Sequence, residues 1–94
     1  MNDYVLSRRA REDLREIWNY TADRWDIDQA DRYVENRTIG LVAADPERGR
    51  PYDRAGRGYR MIASGAHMIF FRKLEDGVFI VRVLHQRMDF LRRL

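Results

Sequence analysis

Between Tyr59 and Leu84 the chain carries three apolar runs, "YRMIA", "HMIFFRK" and "VFIVRVL", separated only by Ser64-Gly65-Ala66 and by Glu75-Asp76-Gly77. Runs of this length, rich in β-branched and aromatic residues and divided by glycine turns, predict consecutive antiparallel strands over 59–63, 67–73 and 78–84. A three-stranded meander has two faces, and something must cover at least one of them. The first half supplies the cover. Ala10, Leu14, Ile17, Trp18, Thr21 and Trp25 recur at spacings of three and four, which predicts one apolar stripe on a helix of about four to five turns. Ser7 suits the N-cap of that helix, behind a short strand over 3–7.

A second helix is expected from about Asp26 or Asp28, with Ile27, Ala30, Tyr33, Val34, Leu41 and Val42 facing the core, until Pro46 ends it. Its middle is weak, because Arg37 and Thr38 occupy stripe positions and Gly40 costs about 1 kcal/mol relative to alanine. Residues 45–58, "DPERGRPYDRAGRG", show no periodicity and read as an exposed basic loop. The end, "QRMDFLRRL", predicts about two helical turns with Met88, Leu91 and Leu94 inward. The expected class is therefore α+β: an N-terminal strand and a helical hairpin packed on an antiparallel β-sheet, with a short C-terminal helix, in the order β-α-α-β-β-β-α. One domain over 1–94 is expected from the length.

Charge is distributed unevenly. Residues 1–45 hold 7 Arg against 10 Asp or Glu, whereas residues 46–73 hold 7 Arg or Lys against 2 acids. A basic second half suits nucleic acid or an acidic protein as partner, although 17 of the 18 basic residues are arginine, which a GC-rich genome also produces. The chain has no cysteine, which excludes a disulfide scaffold, a thiolate metal site and a cysteine nucleophile. No segment approaches the ~18 apolar residues of a membrane span and no signal peptide opens the chain, so a cytoplasmic location without membrane contact is expected. Two histidines without a suitably spaced acid make a poor ligand set, so no metal and no cofactor are expected.

Strand parity sorts the functional candidates. Phe79, Val81 and Val83 are expected under the helices, and Val78, Ile80, Arg82 and Leu84 on the open face. If register permits, Arg60, Arg72 and Arg82 converge there, beside the tail, as a cluster able to grip phosphate or carboxylate. His85 is expected to bond backbone or Asp89, and His67 to cap its strand or face solvent. Asp13 and Glu16 read as solvated or paired with Arg9 and Arg15.

The segments "LSRRAREDLREIWNYTADRW" (6–25), "QADRY" (29–33), "DPERGRP" (45–51), "GYRMIASGAHMIFFR" (58–72) and "IVRVLHQRMD" (80–89) resemble the ParE branch of the RelE/ParE toxin superfamily. The resemblance spans nearly the whole chain. It implies the toxin of a type II toxin–antitoxin module, neutralised by a ParD-like ribbon-helix-helix antitoxin, through which alone it would meet operator DNA. It also implies DNA gyrase as the target. Antitoxin contacts are expected at Leu14, Trp18, Trp25, Tyr33, Arg37 and Leu41, and target contacts at Arg60, Arg72, Arg82, His85, Arg87, Arg92 and Arg93. Family members usually keep an aliphatic residue near Arg37, so contacts there are expected to be specific to this pair.

The sister RelE branch cuts ribosome-bound mRNA, and many of its members place a tyrosine in the C-terminal helix. Here that helix has Phe90 and no tyrosine, and guanidinium gives up no proton near neutral pH. The chain is therefore expected to act by binding rather than by catalysis. The alternatives are a RelE-type ribonuclease, or an inactive toxin that only binds antitoxin and co-represses.

Overall fold

The computed structural model describes residues 3–24 and 34–94, with the side chains of 20–24 and 34–35 left aside. Strand β1 is Asp3–Leu6, helix α1 Arg8–Arg24 and helix α2 Val34–Ala44. A two-residue strand β2, Arg50–Pro51, follows between short 3-10 turns at Pro46–Arg48 and Asp53–Ala55. Then come β3 (Arg60–Ser64), β4 (His67–Leu74), β5 (Gly77–His85) and the short helix α3 (Phe90–Arg93). The expected start of the second helix, with Trp25 and Tyr33, lies outside the described residues.

The five strands run in the order β1-β5-β4-β3-β2. All neighbours are antiparallel except β1 and β5, which pair in parallel with Asp3 opposite Gly77 and Leu6 opposite Ile80. Gly77 makes this register possible. Its φ is +151°, and a Cβ there would lie inside the Asp3 carbonyl.

One face of the sheet carries the main core: Ala10 and Leu14 from α1, Ile39, Val42 and Ala43 from α2, and Ile69, Phe71, Val78, Ile80 and Val83 from the strands. On α1 the expected stripe holds at Ala10, Leu14, Ile17 and Trp18, while the side chain of Thr21 lies outside the described residues. On α2, Thr38 turns inward and meets Ser64 across 2.9 Å, so the polar gap is satisfied within the chain, while Arg37 is exposed. Leu41, expected inside, is 46% exposed.

The other face is not open. Phe70, Met68 and Leu84 are buried there beneath Tyr52, Tyr59, Phe90 and Leu94. Tyr52 comes from the segment expected to be an exposed loop, and that segment also supplies β2. Phe90 packs edge-on against Phe70 at 4.8 Å and Tyr52 at 6.3 Å, anchoring α3. Met88 and Leu91, expected to point inward, are 40% and 50% exposed. Phe90 and Leu94, one helical turn apart, do that work instead.

The parity expected of β5 fails at its centre. Phe70 lies opposite Arg82 but Phe71 lies opposite Ile80, so Val81 is an extra residue in the ladder. Before this bulge Val78 and Ile80 face the helices; after it Val83 does. Val81, expected among them, packs with the opposite cluster, and Phe79 lies under Arg72, on the face away from the helices. Among the described residues no helix is long and apolar enough to cross a membrane.

Candidate functional site

The bulge falls where β1 ends, and the two facts together build the site. Beyond Leu6 the outer edge of β5 has no strand among the described residues to pair with, so its backbone groups need other partners. Ser7 N–H donates to the Ile80 carbonyl at 2.9 Å, and the Ser7 hydroxyl donates to the Val81 carbonyl at 2.6 Å while accepting the Ala10 N–H at 2.9 Å. The serine is thus both helix cap and edge cap. Six residues after the serine, Asp13 accepts the Val83 N–H at 2.9 Å.

The same carboxylate holds Arg82. Arg82 Nε donates to Asp13 Oδ2 at 2.8 Å and Nη2 donates to Oδ1 at 2.9 Å, a two-bond fork with both side chains 13–14% exposed. Its Nη1 donates to the Arg93 carbonyl in α3 at 2.7 Å. Arg82 therefore ties α1 and the C-terminal tail to β5. The hydrogen bond from Arg82 to Asp13 raises the guanidinium above its ordinary pKa, so it stays charged throughout the working pH range.

The three arginines do not converge. Arg60 lies opposite Phe71, on the helix-bearing face, where it donates to the Gly49 carbonyl at 2.6 Å and pairs with Glu47 at 3.5 Å. Arg72 is on the other face, stacked over Phe79 with 5.2 Å from guanidinium carbon to ring centre. Lys73 reaches back to Glu47, and this contact, followed by the charges of Lys73 and Arg60, lowers the Glu47 pKa.

His67 and His85 lie directly opposite each other on β4 and β5, with rings edge-to-face at 5.5 Å. His85 Nδ1 accepts the Arg87 N–H at 3.1 Å, the backbone role expected of it. With Asp13, Glu16 and Arg82 these rings line a recess of about 150 Å³. Tyr59 lines a second recess together with Arg82. Imidazole and phenol groups therefore line recesses shared with Arg82. Among the described residues no three His, Cys, Asp or Glu are placed to hold a metal ion.

The expected antitoxin face is only partly available. Leu14 is 1% exposed and belongs to the core. Trp18 is half-buried against that core, and its ring N–H has no acceptor among the described residues. Arg37 and Leu41 face solvent. On the tail, Arg87 is exposed and Arg92 makes a surface pair with Asp89 at 3.7 Å. Asp13 was missed as a site residue. It flanks the stripe between Ala10 and Leu14, which reads as a solvated helix face until β5 is known to lie against it.

A family model described as the ParE toxin of type II toxin-antitoxin system, parDE, matches residues 4–90. The chain is 45% identical over 94 residues to Toxin ParE1 of Mycobacterium tuberculosis, covering 97% of this chain and 96% of that one. It is 44% identical over 91 residues to Toxin ParE1 of Caulobacter vibrioides, covering 95% and 94% respectively. Among solved structures, the chromosomal ParDE system from P. aeruginosa superposes with a TM-score of 0.68 at 15% identity, over 88% of this chain and 94% of the other. That last likeness is one of fold.

Proposed function

We take as premise that this chain belongs to the ParE toxin family of type II toxin–antitoxin systems, and we propose that it arrests growth by binding DNA gyrase, using its C-terminal tail. The observation that carries this reading is the way the tail is built. Phe90 and Leu94 anchor it, while Met88 and Leu91 stay exposed beside Arg87 and Arg92. A fixed ridge with apolar tips and basic flanks suits a protein interface. Arg82 supports the ridge from behind rather than reaching out from it.

The partner that restrains the toxin is a ParD-like antitoxin, in keeping with the ParDE system of the structural neighbour. Its acidic tail would fold along the helical side, at Trp18, Arg37 and Leu41 among the described residues, and its ribbon-helix-helix part would carry the pair to operator DNA.

The second reading, ribonuclease action, is favoured by the two imidazoles beside Arg82. Against it, the Nδ1 lone pair of His85 is taken by a backbone N–H and Arg82 has three hydrogen bonds to keep. Immobilised gyrase tests the proposal. The toxin should bind it, lose affinity about tenfold on Leu91→Ala or Arg87→Ala, and be released by antitoxin. Leu41→Ala should weaken only the antitoxin. Absence of gyrase binding would overturn the proposal.

A further inference from the structure

A recess of about 390 Å³ opens between the start of α1, β5 and the tail, and its walls are Arg8, Arg9, Arg57, Arg82 and Arg93. These five guanidiniums come from four separate parts of the chain, and among the described residues no acidic side chain lines the recess with them. Two are already compensated: Arg82 by Asp13, and Arg8 by Glu12 at 3.6 Å. Arg9, Arg57 and Arg93 have no carboxylate partner among the described residues. The first turn of α1 contains no acid either, so two of the five stand where a helix favours negative charge. Folding thus gathers like charges into one concave place and leaves most of them unanswered, an arrangement that an anion would relieve.

The form of the recess narrows the anion. Three guanidiniums without a carboxylate partner around one space, Arg9, Arg57 and Arg93, match the multiple oxygens of a phosphate better than the two of a lone carboxylate. The volume exceeds what a bare anion needs, and the recess is open to solvent rather than enclosed, so it has room for a ligand larger than the anion alone. Tyr59, Val81 and Leu94 supply the apolar part of its lining. A shallower recess of about 210 Å³ continues from it across Arg57, Tyr59 and Leu94 towards Arg54 and Leu91. Arginines and apolar side chains lining one recess suit a ligand with a phosphate at one end and a flat ring at the other.

We propose that this recess binds the phosphate of a nucleoside, presented either as a free nucleotide or as part of a nucleic-acid strand. The arginine-lined recess contains neither Met88 nor Leu91, although its shallower extension reaches Leu91; the test uses the toxin alone, so the proposal stands or falls independently of gyrase.

Purified toxin would be titrated with ATP, with a short labelled DNA strand, and with a polyglutamate peptide as a carboxylate control. Nucleotide or strand should bind, and Arg57→Ala and Arg93→Ala, both at exposed positions, should each weaken binding about tenfold. For the strand, the slope of log K against log salt should fall by about 1 per arginine removed. Arg50→Ala, on β2, lowers the net charge equally and should leave binding unchanged. Displacement of the strand by ATP identifies a free nucleotide as a sufficient ligand, and binding of the strand alone identifies the polymer as the source. The proposal is overturned if neither probe binds, if the Arg57 and Arg93 variants bind like the parent, or if polyglutamate binds as tightly as both.

Discussion

Asp13 on α1 and Arg82 on β5, 69 residues apart, are joined by two parallel hydrogen bonds of 2.8 and 2.9 Å. The carboxylate also accepts a backbone N–H of β5, and the guanidinium also donates to a carbonyl of the tail. This pair substitutes for the strand that β1 does not provide beyond Leu6. Removing either member leaves a largely buried charge without its partner. Asp13→Ala and Arg82→Ala should each cost about 2–4 kcal/mol in urea unfolding. The double variant should cost much less than the sum of the two. Additive losses would mean that the pair is incidental.

Much of the fold is legible in the residues themselves. The stripe from Ala10 to Trp18 and the turn at Gly65 follow from local spacing and local backbone preference, and both stand where the sequence puts them. The bulge at Val81 has no such signal, because a valine among valines and isoleucines fits either face. One extra residue there is enough to reverse the expected faces of Val78 and Ile80. Tyr52 escapes notice for a related reason. The segment around it is rich in proline, glycine and arginine, and only Phe70 and Phe90 give its ring a reason to be inside. Asp13 is illegible because its partner is set by topology rather than by spacing along the helix.

The tail should behave as a docked element that can be loosened by itself. Phe90→Ala removes its contacts with Phe70 and Tyr52 and should cost about 2 kcal/mol. Hydrogen exchange should quicken across α3 while β3, β4 and β5 stay protected. If exchange rises equally throughout the sheet, the tail is part of one indivisible core.

Two glycines should respond in opposite senses. Gly40 lies in α2, and a Cβ added there would meet nothing within 4 Å, so Gly40→Ala should stabilise by about 0.5–1 kcal/mol. Gly77→Ala must displace the Asp3 carbonyl and should detach β1, lowering Tm and exposing the β5 edge. Thermal melts of both variants check the pair of outcomes.

Glu47 makes a small, signed contribution to pH dependence. Its carboxyl is held below the ordinary value of 4.5, first by the Lys73 hydrogen bond and then by the Lys73 and Arg60 charges. A depressed carboxylate stabilises the fold above its unfolded pKa, and that contribution disappears as pH falls through the lower folded value. Glu47→Gln should therefore flatten the stability profile below about pH 4.5 and leave the alkaline limb unchanged. High salt should shrink the difference, because the group is exposed.

The central claim is that this toxin acts by holding its target and not by cutting RNA. Parallel reactions with one toxin preparation, gyrase supercoiling of relaxed plasmid and translation on intact mRNA, test it most directly. Supercoiling should stop at toxin levels that leave the transcripts whole, and antitoxin should restore it. Unimpeded supercoiling together with cuts at codon positions, abolished by replacing His67 or His85, would contradict the account.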